Sequence, residues 1–127
     1  MTDVPGPAAV LRAIGRARER DDFEAALLFI APESLDQGEL VTREDWRRKW
    51  ESMRDASPDL EILTEQSVAE GEWIAHRYLL RGTHTGDFFG QPPTGARFET
   101  HGLDMVRVRD GQLVEHWALA GPMIRPR

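Results

Sequence analysis

The stretch Gly82–Gly121 reads GTHTGDFFGQPPTGARFETHGLDMVRVRDGQLVEHWALAG, and it decides the fold class. A loop rich in glycine and proline leads into two runs in which polar and apolar residues alternate, as in strands with one buried face. Asp110-Gly111 joins the runs and favours a tight hairpin, because both central positions of the preferred turn need positive φ. The second run ends in Glu115-His116-Trp117. We therefore predict a curved sheet that lines a pocket with a few polar groups.

Upstream of this stretch, the spacing of apolar residues predicts three helices. Asp21 or Asp22 can cap the second helix, and Pro32 is expected to end it. Thr42 to Asp45 reads as a capping box that starts the third helix, and Ser57-Pro58 ends it, because a residue before proline avoids the helical region. The residues expected to face the core are Val10, Ile14, Ala17, Ala26, Leu27, Ile30, Trp46, Trp50 and Met53.

Four strands are predicted after the helices, and helices before strands indicate an α+β fold. We expect a cone-shaped α+β barrel in one domain, residues 1–127, with the N-terminal helices packed on a strongly curved antiparallel sheet. The open mouth of such a cone leads to a mostly apolar pocket. The strands are expected at Leu60 to Ala69, Trp73 to Thr83, Phe98 to Val108 and Gln112 to Ala120.

The composition excludes several classes of function. The chain has 127 residues, a formal net charge of −6 and no cysteine, which argues against nucleic-acid binding, disulfides and thiolate catalysis. The segment Met1 to Pro7 lacks the pattern of a targeting leader, and no run approaches membrane-spanning length. We therefore expect a cytoplasmic enzyme or binding protein.

The segment Arg77 to Trp117 resembles the SnoaL-like polyketide cyclase and ester cyclase group of the nuclear-transport-factor-2-like superfamily. The resemblance implies that fold, a hydrophobic small-molecule substrate, a homodimer or higher homo-oligomer, and cyclase or isomerase-type chemistry in polyketide antibiotic biosynthesis. It covers about a third of the chain with specific motifs, whereas the fold itself hosts many reactions. The matching elements are Arg81 to Gly86, Phe89-Gly90, Pro92 to Gly95, Gly102 to Asp104, Arg107, Asp110-Gly111 and Glu115 to Trp117.

Two positions depart from the pattern of that group. Its cyclases usually carry an acidic residue four positions after the tryptophan, where this sequence has Gly121. The early helix–strand connection of the group often has histidine after aspartate, whereas Asp36 is followed by Gln37 here. The resemblance therefore implies the fold of the group, but this sequence lacks the residue that usually acts as general acid and base.

Asp104 is the strongest remaining candidate for proton transfer, because a carboxylate on an apolar wall would have a raised pKa. The alternative is a cross-strand ion pair with Arg77 or Arg107. His116 is its candidate catalytic partner. Alternation places His116 on one strand face and Trp117 on the other, so only one of them can face the cavity, and the sequence does not choose.

Two of the other histidines, His84 and His101, are expected to have structural roles. His84 lies in a bend where polar side chains often hold a loop, and His101 falls on the strand face opposite Asp104. The histidines show no metal-ligand spacing, and no glycine-rich phosphate motif is present, so we expect neither a metal nor a cofactor.

Large rings are numerous for a small domain and can stack on a flat ligand. Tyr78 or Gln37 can also donate a hydrogen bond to a carbonyl or enolate oxygen. The substrate-binding residues predicted on these grounds are Gln37, Trp50, Trp73, Tyr78 and Trp117.

The leading hypothesis is a cyclase that needs no cofactor and acts on a polycyclic or polyene substrate, by proton transfer and by positioning of the reacting atoms. A hydroxylase-type or epoxide-opening enzyme on the same fold is the second hypothesis. A non-catalytic binding or assembly protein is the third. Outer sheet residues such as Leu103, Met105 and Leu113 would suit the dimer that the fold commonly forms.

Overall fold

In the computed structural model, which describes residues 4–124, three helices pack on one face of a curved six-stranded sheet. The helices are α1 (Pro7–Glu19), α2 (Phe23–Leu27) and α3 (Arg43–Ala56). The strands are β1 (Ile30–Asp36), β2 (Glu39–Thr42), β3 (Glu61–Glu70), β4 (Trp73–Thr83), β5 (Arg97–Arg109) and β6 (Gln112–Ala120). This confirms the α+β class and the helices-then-strands order.

The sheet is open and mixed, which corrects the prediction of a purely antiparallel sheet. Its strand order is β2-β1-β6-β5-β4-β3, and β1 runs parallel to β6 while the other neighbours are antiparallel. A parallel pair needs a long crossover, and here the chain from β2 through α3 and three further strands provides it.

The helix signals in the sequence act as predicted. The Asp22 carboxylate accepts a hydrogen bond from the backbone N–H of Ala25 at 3.1 Å and caps α2. At α3, Thr42 N–H donates to Asp45 at 2.8 Å, and Asp45 N–H donates to the Thr42 hydroxyl at 3.3 Å, which completes the capping box. Among residues 4–124, no helix combines the length and apolarity that a membrane crossing requires.

The hairpin of β1 and β2 was not predicted from the sequence. The second helix was expected to continue to Pro32, whereas α2 ends at Leu27 and the buried Ile30 already belongs to β1. The hairpin turns at Gln37 and Gly38, both with positive φ (54° and 84°). Glutamine is not a typical turn residue, and a short apolar run does not distinguish helix from strand.

Strands β4 and β6 have the predicted bounds, and the turn between β5 and β6 has the predicted backbone, with φ of 53° at Asp110 and 76° at Gly111. The expectation that Leu113 lies on the outer face is wrong, because it is 3% exposed in the core. The β5–β6 register shifts after Arg107, and this irregularity turns Leu113 inward.

Gly82 packs too tightly against the end of α3 to carry a side chain. A Cβ there would overlap the Ser57 hydroxyl oxygen and lie 3.3 Å from the Leu60 Cα. We expect Gly82→Ala to lower the free energy of unfolding by about 1–3 kcal/mol through overpacking. The matched control is Gly15→Ala in α1, where a Cβ meets no atom within 4 Å.

Gly15→Ala should stabilise the fold by roughly 0.5–1 kcal/mol, since alanine is the better helix former. Urea unfolding followed by circular dichroism measures both changes. Equal effects of the two substitutions would contradict the packing argument.

Candidate functional site

A cavity of about 1040 Å³ lies between the helices and the inner face of the sheet. Its walls come mainly from α1, α3 and the inward side chains of β3 to β6, and they are mostly apolar. This size suits a drug-sized or polycyclic ligand. The ionisable residues that line it and are at least partly buried are Arg18, Lys49, Arg54, His76, Tyr78, Asp104 and His116.

The structure brings the two predicted catalytic residues together in this cavity. His116 Nε2 lies 3.3 Å from Asp104 Oδ2, and each side chain is only 12% exposed. His76 Nε2 lies 2.5 Å from the other oxygen, Asp104 Oδ1. Register explains the cluster, because His76 pairs directly with Asp104 across β4 and β5, and His116 pairs with Val106 on the next strand. The alternative ion pair of Asp104 with Arg77 or Arg107 is not formed, because these arginines pair with Glu65 and Glu115.

A second carboxylate holds the other side of the His116 ring. Asp36 Oδ1 lies 2.8 Å from His116 Nδ1, and Lys49 Nζ lies 2.8 Å from Asp36 Oδ2. The parallel pairing of β1 with β6 places Asp36 opposite His116. The Trp46 ring packs edge-on against His116 with centroids 5.3 Å apart, and Lys49 Nζ lies 4.8 Å from the Trp46 ring centroid. The contacts at both ring nitrogens and the packing against Trp46 therefore fix the orientation of the His116 imidazole.

The charges around His116 favour its protonated form. Burial opposes the imidazolium, but the hydrogen bonds with Asp104 and Asp36 outweigh burial and raise the pKa of His116. Burial also opposes the Asp36 carboxylate, but the hydrogen bonds from His116 and Lys49 lower the pKa of Asp36. With His116 protonated, two carboxylates face two cations, so the cluster of Asp36, Asp104, His116 and Lys49 is neutral.

Tyr78 lines the same cavity, as predicted for a substrate-binding residue. Its ring lies against Gly102, where any Cβ would overlap it, and its centroid is 5.2 Å from that of His76. Burial raises the pKa of Tyr78, and the nearby charge of Asp104 raises it further. The phenol therefore keeps its proton near neutral pH and can donate it in a hydrogen bond.

Gln37 and Trp50 also line the cavity, but both serve the fold. The Gln37 side chain donates to the Ala118 carbonyl oxygen and accepts from Ala118 N–H, both at 2.8 Å, so it ties the β1–β2 turn to β6. Trp50 is 3% exposed and packs between Phe23 and Trp46 in the core. Trp50 can offer a ring edge to a ligand, whereas the Gln37 amide is already engaged.

The structure does not bring Trp73 and Trp117 to the cavity, which corrects their place in the predicted site. Because His116 faces inward, alternation turns Trp117 to the outer face, where it is 44% exposed and donates to Glu115 at 2.7 Å. Trp73 lies on the same outer face, with the Arg107 guanidinium 5.6 Å from its ring centroid. Neither tryptophan is part of the proposed site.

The remaining histidines have the structural roles expected of them. His84 is 2% exposed, and its Nε2 lies 3.2 Å from the Gln91 carbonyl oxygen, across the loop between β4 and β5. His101 points to the outer face and meets Glu65 at 2.9 Å. Residues 4–124 contain no group of three or more histidine, aspartate or glutamate side chains arranged to hold a metal ion.

Gly121 lines the cavity, beyond the end of β6. A Cβ at this position would lie 3.5 Å from the nearest atom, the His101 carbonyl oxygen, so the space for a side chain exists and is left open. The ionisable groups of the cavity therefore come from other elements of the fold.

Sequence reasoning missed four members of the site: Arg18, Asp36, Lys49 and His76. His76 could have been found, because it precedes Tyr78 by two residues on the same strand and so shares its face. Asp36 and Lys49 could not, since their place depends on the parallel β1–β6 pair and on the rotation of α3 against it.

Comparisons with known proteins agree with this fold and cavity. Residues 8–123 match the family described as SnoaL-like polyketide cyclase. The polyketide cyclase candidate IdmH of Streptomyces antibioticus is 32% identical, covers 90% of this chain and 91% of its own, and superposes with a TM-score of 0.77. The hydroxylase candidate AclR of Streptomyces galilaeus is 28% identical, with 90% and 87% covered and a TM-score of 0.75.

A shorter match links the chain to a curated cyclase. The aklanonic acid methyl ester cyclase DnrD of Streptomyces peucetius is 35% identical over 46 residues, which span 36% of this chain and 32% of that protein. The match thus covers about a third of the relative. Together with the family match over most of the chain, the fold and the cavity define a protein of the nuclear-transport-factor-2-like class. The chain belongs to the SnoaL-like polyketide cyclase family.

We expect Asp36→Asn to lower the pKa of His116, because one of its two carboxylate partners is lost. Titration of the imidazole ring protons by NMR measures this shift. Asp55→Asn is the matched control, since it removes the same charge from an exposed position of α3. A His116 pKa that is unchanged in Asp36→Asn would contradict the arrangement.

The same pair of variants tests the effect on stability. A histidine with a raised pKa in the fold stabilises it fully below about pH 6.5, and this stabilisation is lost as the pH rises through the folded-state pKa. The destabilisation caused by Asp36→Asn should therefore be larger at about pH 6 than at about pH 9.

Proposed function

We propose that this chain is a polyketide cyclase of secondary metabolism, in a pathway of the antibiotic type, that closes a ring in a hydrophobic polycyclic or polyene substrate. The observation that carries the proposal is the Asp104–His116 contact at 3.3 Å, inside a mostly apolar cavity. Family membership supports the reaction class, and the residues present support a mechanism of proton transfer and positioning.

Asp104 would act as the base. It would take a proton from a carbon that lies between two carbonyl groups, and the resulting enolate carbon would attack a ketone carbon of the same molecule. The new alkoxide oxygen would then take a proton from the His116 imidazolium, and His116 would recover it from Asp104. Protons balance over the cycle, and the reaction is an isomerisation that needs no cofactor.

Tyr78 would donate a hydrogen bond to the enolate oxygen, since its phenol keeps its proton and lies beside His76. The apolar walls would hold the two reacting carbons close together. Such positioning supplies on the order of 7 kcal/mol or more in the best intramolecular reactions. Positioning therefore has more weight here than in relatives that carry an acid at the place of Gly121.

Asp104→Asn tests the base directly. We expect the cyclisation rate to fall by about 10²–10⁴-fold, because asparagine cannot accept the proton. The assay follows ring closure of aklanonic acid, of its methyl ester and of related open polyketides by chromatography. Asp55→Asn, on the exposed face of α3, is the control and should keep the wild-type rate. Full activity in Asp104→Asn would leave positioning as the only source of catalysis.

A second candidate is a hydroxylase-type activity, favoured by the likeness to AclR at 28% identity over 90% of the chain. The same enolate carbon, once formed at Asp104, would react with molecular oxygen to give a hydroperoxide. Two electrons from a partner reductase and two protons would then cleave its O–O bond and give the hydroxyl group and water. Product that forms only with molecular oxygen and a partner reductase would identify this reaction. Product that forms under anaerobic conditions would identify cyclisation.

We also propose that the chain forms a homodimer through the outer face of β5 and β6. Cross-strand pairing joins Leu103 to Leu119 and Met105 to Trp117, so four apolar side chains form one outer patch. Their exposed fractions are 58%, 79%, 49% and 44%, respectively. A contiguous apolar surface of this kind is typical of a protein interface.

Charge in this patch should dissociate the dimer. We expect the double variant Met105→Glu/Leu119→Glu to sediment as a monomer at concentrations where the wild type is dimeric, because two carboxylates would be buried without partners. Leu40→Glu is the control, since Leu40 is 67% exposed on β2, an edge strand of the sheet that does not pair with β5 or β6. A wild type that sediments as a monomer would remove this part of the proposal.

A further inference from the structure

A half-buried arginine of α1, Arg18, lines the cavity, and the mechanism above does not use it. Arg18 lies over the Trp50 ring, with 5.2 Å between the guanidinium carbon and the ring centroid, and its Nη2 donates to the Met53 sulfur at 3.6 Å. Across residues 4–124, no carboxylate oxygen lies within 4.0 Å of its nitrogens. A thioether is a weak acceptor, so the donors of this guanidinium are poorly satisfied.

The neighbouring arginine does not share this situation. Arg54 pairs with Asp21 at 2.8 Å and donates to the carbonyl oxygens of Pro58 and Leu60, both at 3.1 Å. Burial, and then the charge of Arg54, lower the pKa of Arg18 to about 10, so Arg18 keeps its charge near neutral pH. The charges of Tyr78 and Asp104 oppose this shift in pKa, and both residues line the same cavity as Arg18.

The charge balance of the cavity leaves Arg18 unmatched. The Asp36 and Asp104 carboxylates already pair with Lys49 and His116, so neither of them is left to pair with the Arg18 cation. A buried charge is costly unless it is paired. An anionic group on the ligand would supply the missing partner, and a guanidinium binds a carboxylate through two parallel hydrogen bonds.

We propose that Arg18 binds an ionised acidic oxygen of the substrate, so that the cavity selects a polycyclic free acid over the corresponding neutral ester. The inference rests on the proposed small-molecule function and narrows its substrate class. The curated cyclase DnrD is named for a methyl ester, in which that carboxyl group carries no charge. An acid and its own methyl ester therefore make the natural pair of probes.

The experiment compares the binding of anthraquinone-2-carboxylate and its methyl ester near neutral pH by isothermal titration calorimetry. We expect the wild type to bind the acid at least about tenfold more tightly than the ester, as for a hydrogen-bonded charge pair. Arg18→Gln and Arg18→Met should lose this preference and keep the affinity for the ester. Met conserves much of the packing against Trp50 and Met53, so one of the two variants preserves the cavity if the other fails to fold.

Arg20→Gln is the matched control, because it removes an exposed arginine from the end of the same helix outside the cavity lining. It should keep the wild-type preference. Equal affinity of the wild type for acid and ester, or a preference for the acid that survives in the Arg18 variants, overturns the inference and leaves the proposed function standing. Failure of both ligands to bind overturns the proposed polycyclic substrate, and the Arg18 inference with it.

Discussion

The placement of one imidazole between two carboxylates is the constraint on which the site depends. Asp36 is at the end of β1, Asp104 is in the middle of β5, and His116 is on β6 between them. Both ring nitrogens are engaged only if all three strands have their observed register. A slip of one residue would turn His116 outward and bring Trp117 into the cavity. The charge arrangement of the site therefore depends directly on the register of the sheet.

The helices stabilise this polar cluster in a mostly apolar interior. Lys49 from α3 reaches Asp36 and gives the second carboxylate a partner, while Trp46 from the same helix covers the imidazole. Both carboxylates are largely buried and each has a partner, and this low exposure to solvent strengthens their interactions. Arg18 from α1 is the exception to this matching. The layer that closes the cavity thus neutralises one part of it and leaves another part positive.

The sequence predicted the local structure well and the long-range structure less well. Capping residues, the Asp110-Gly111 turn and the alternation in β4 and β6 depend on near neighbours, and all of them were found. The β1–β2 hairpin was missed because its turn uses Gln37 and its strand begins in an apolar run. In the site, Asp104 and His116 were proposed as partners, and their side chains lie 3.3 Å apart in the cavity. The direction of His116, and the rejection of Trp73 and Trp117, required the register of the whole sheet.

The hydrogen bond between Asp36 and His116 joins residues that are 80 positions apart in the chain. Contacts at such separation cost the most loop entropy and tend to form late in folding. A chain whose β4, β5 and β6 have paired but whose β1 has not docked would hold Asp104 and His116 side by side, yet with only one carboxylate on the ring. Full basicity of the imidazole is thus acquired together with the final closure of the domain. The site therefore has its full set of charges only after β1 has paired with β6.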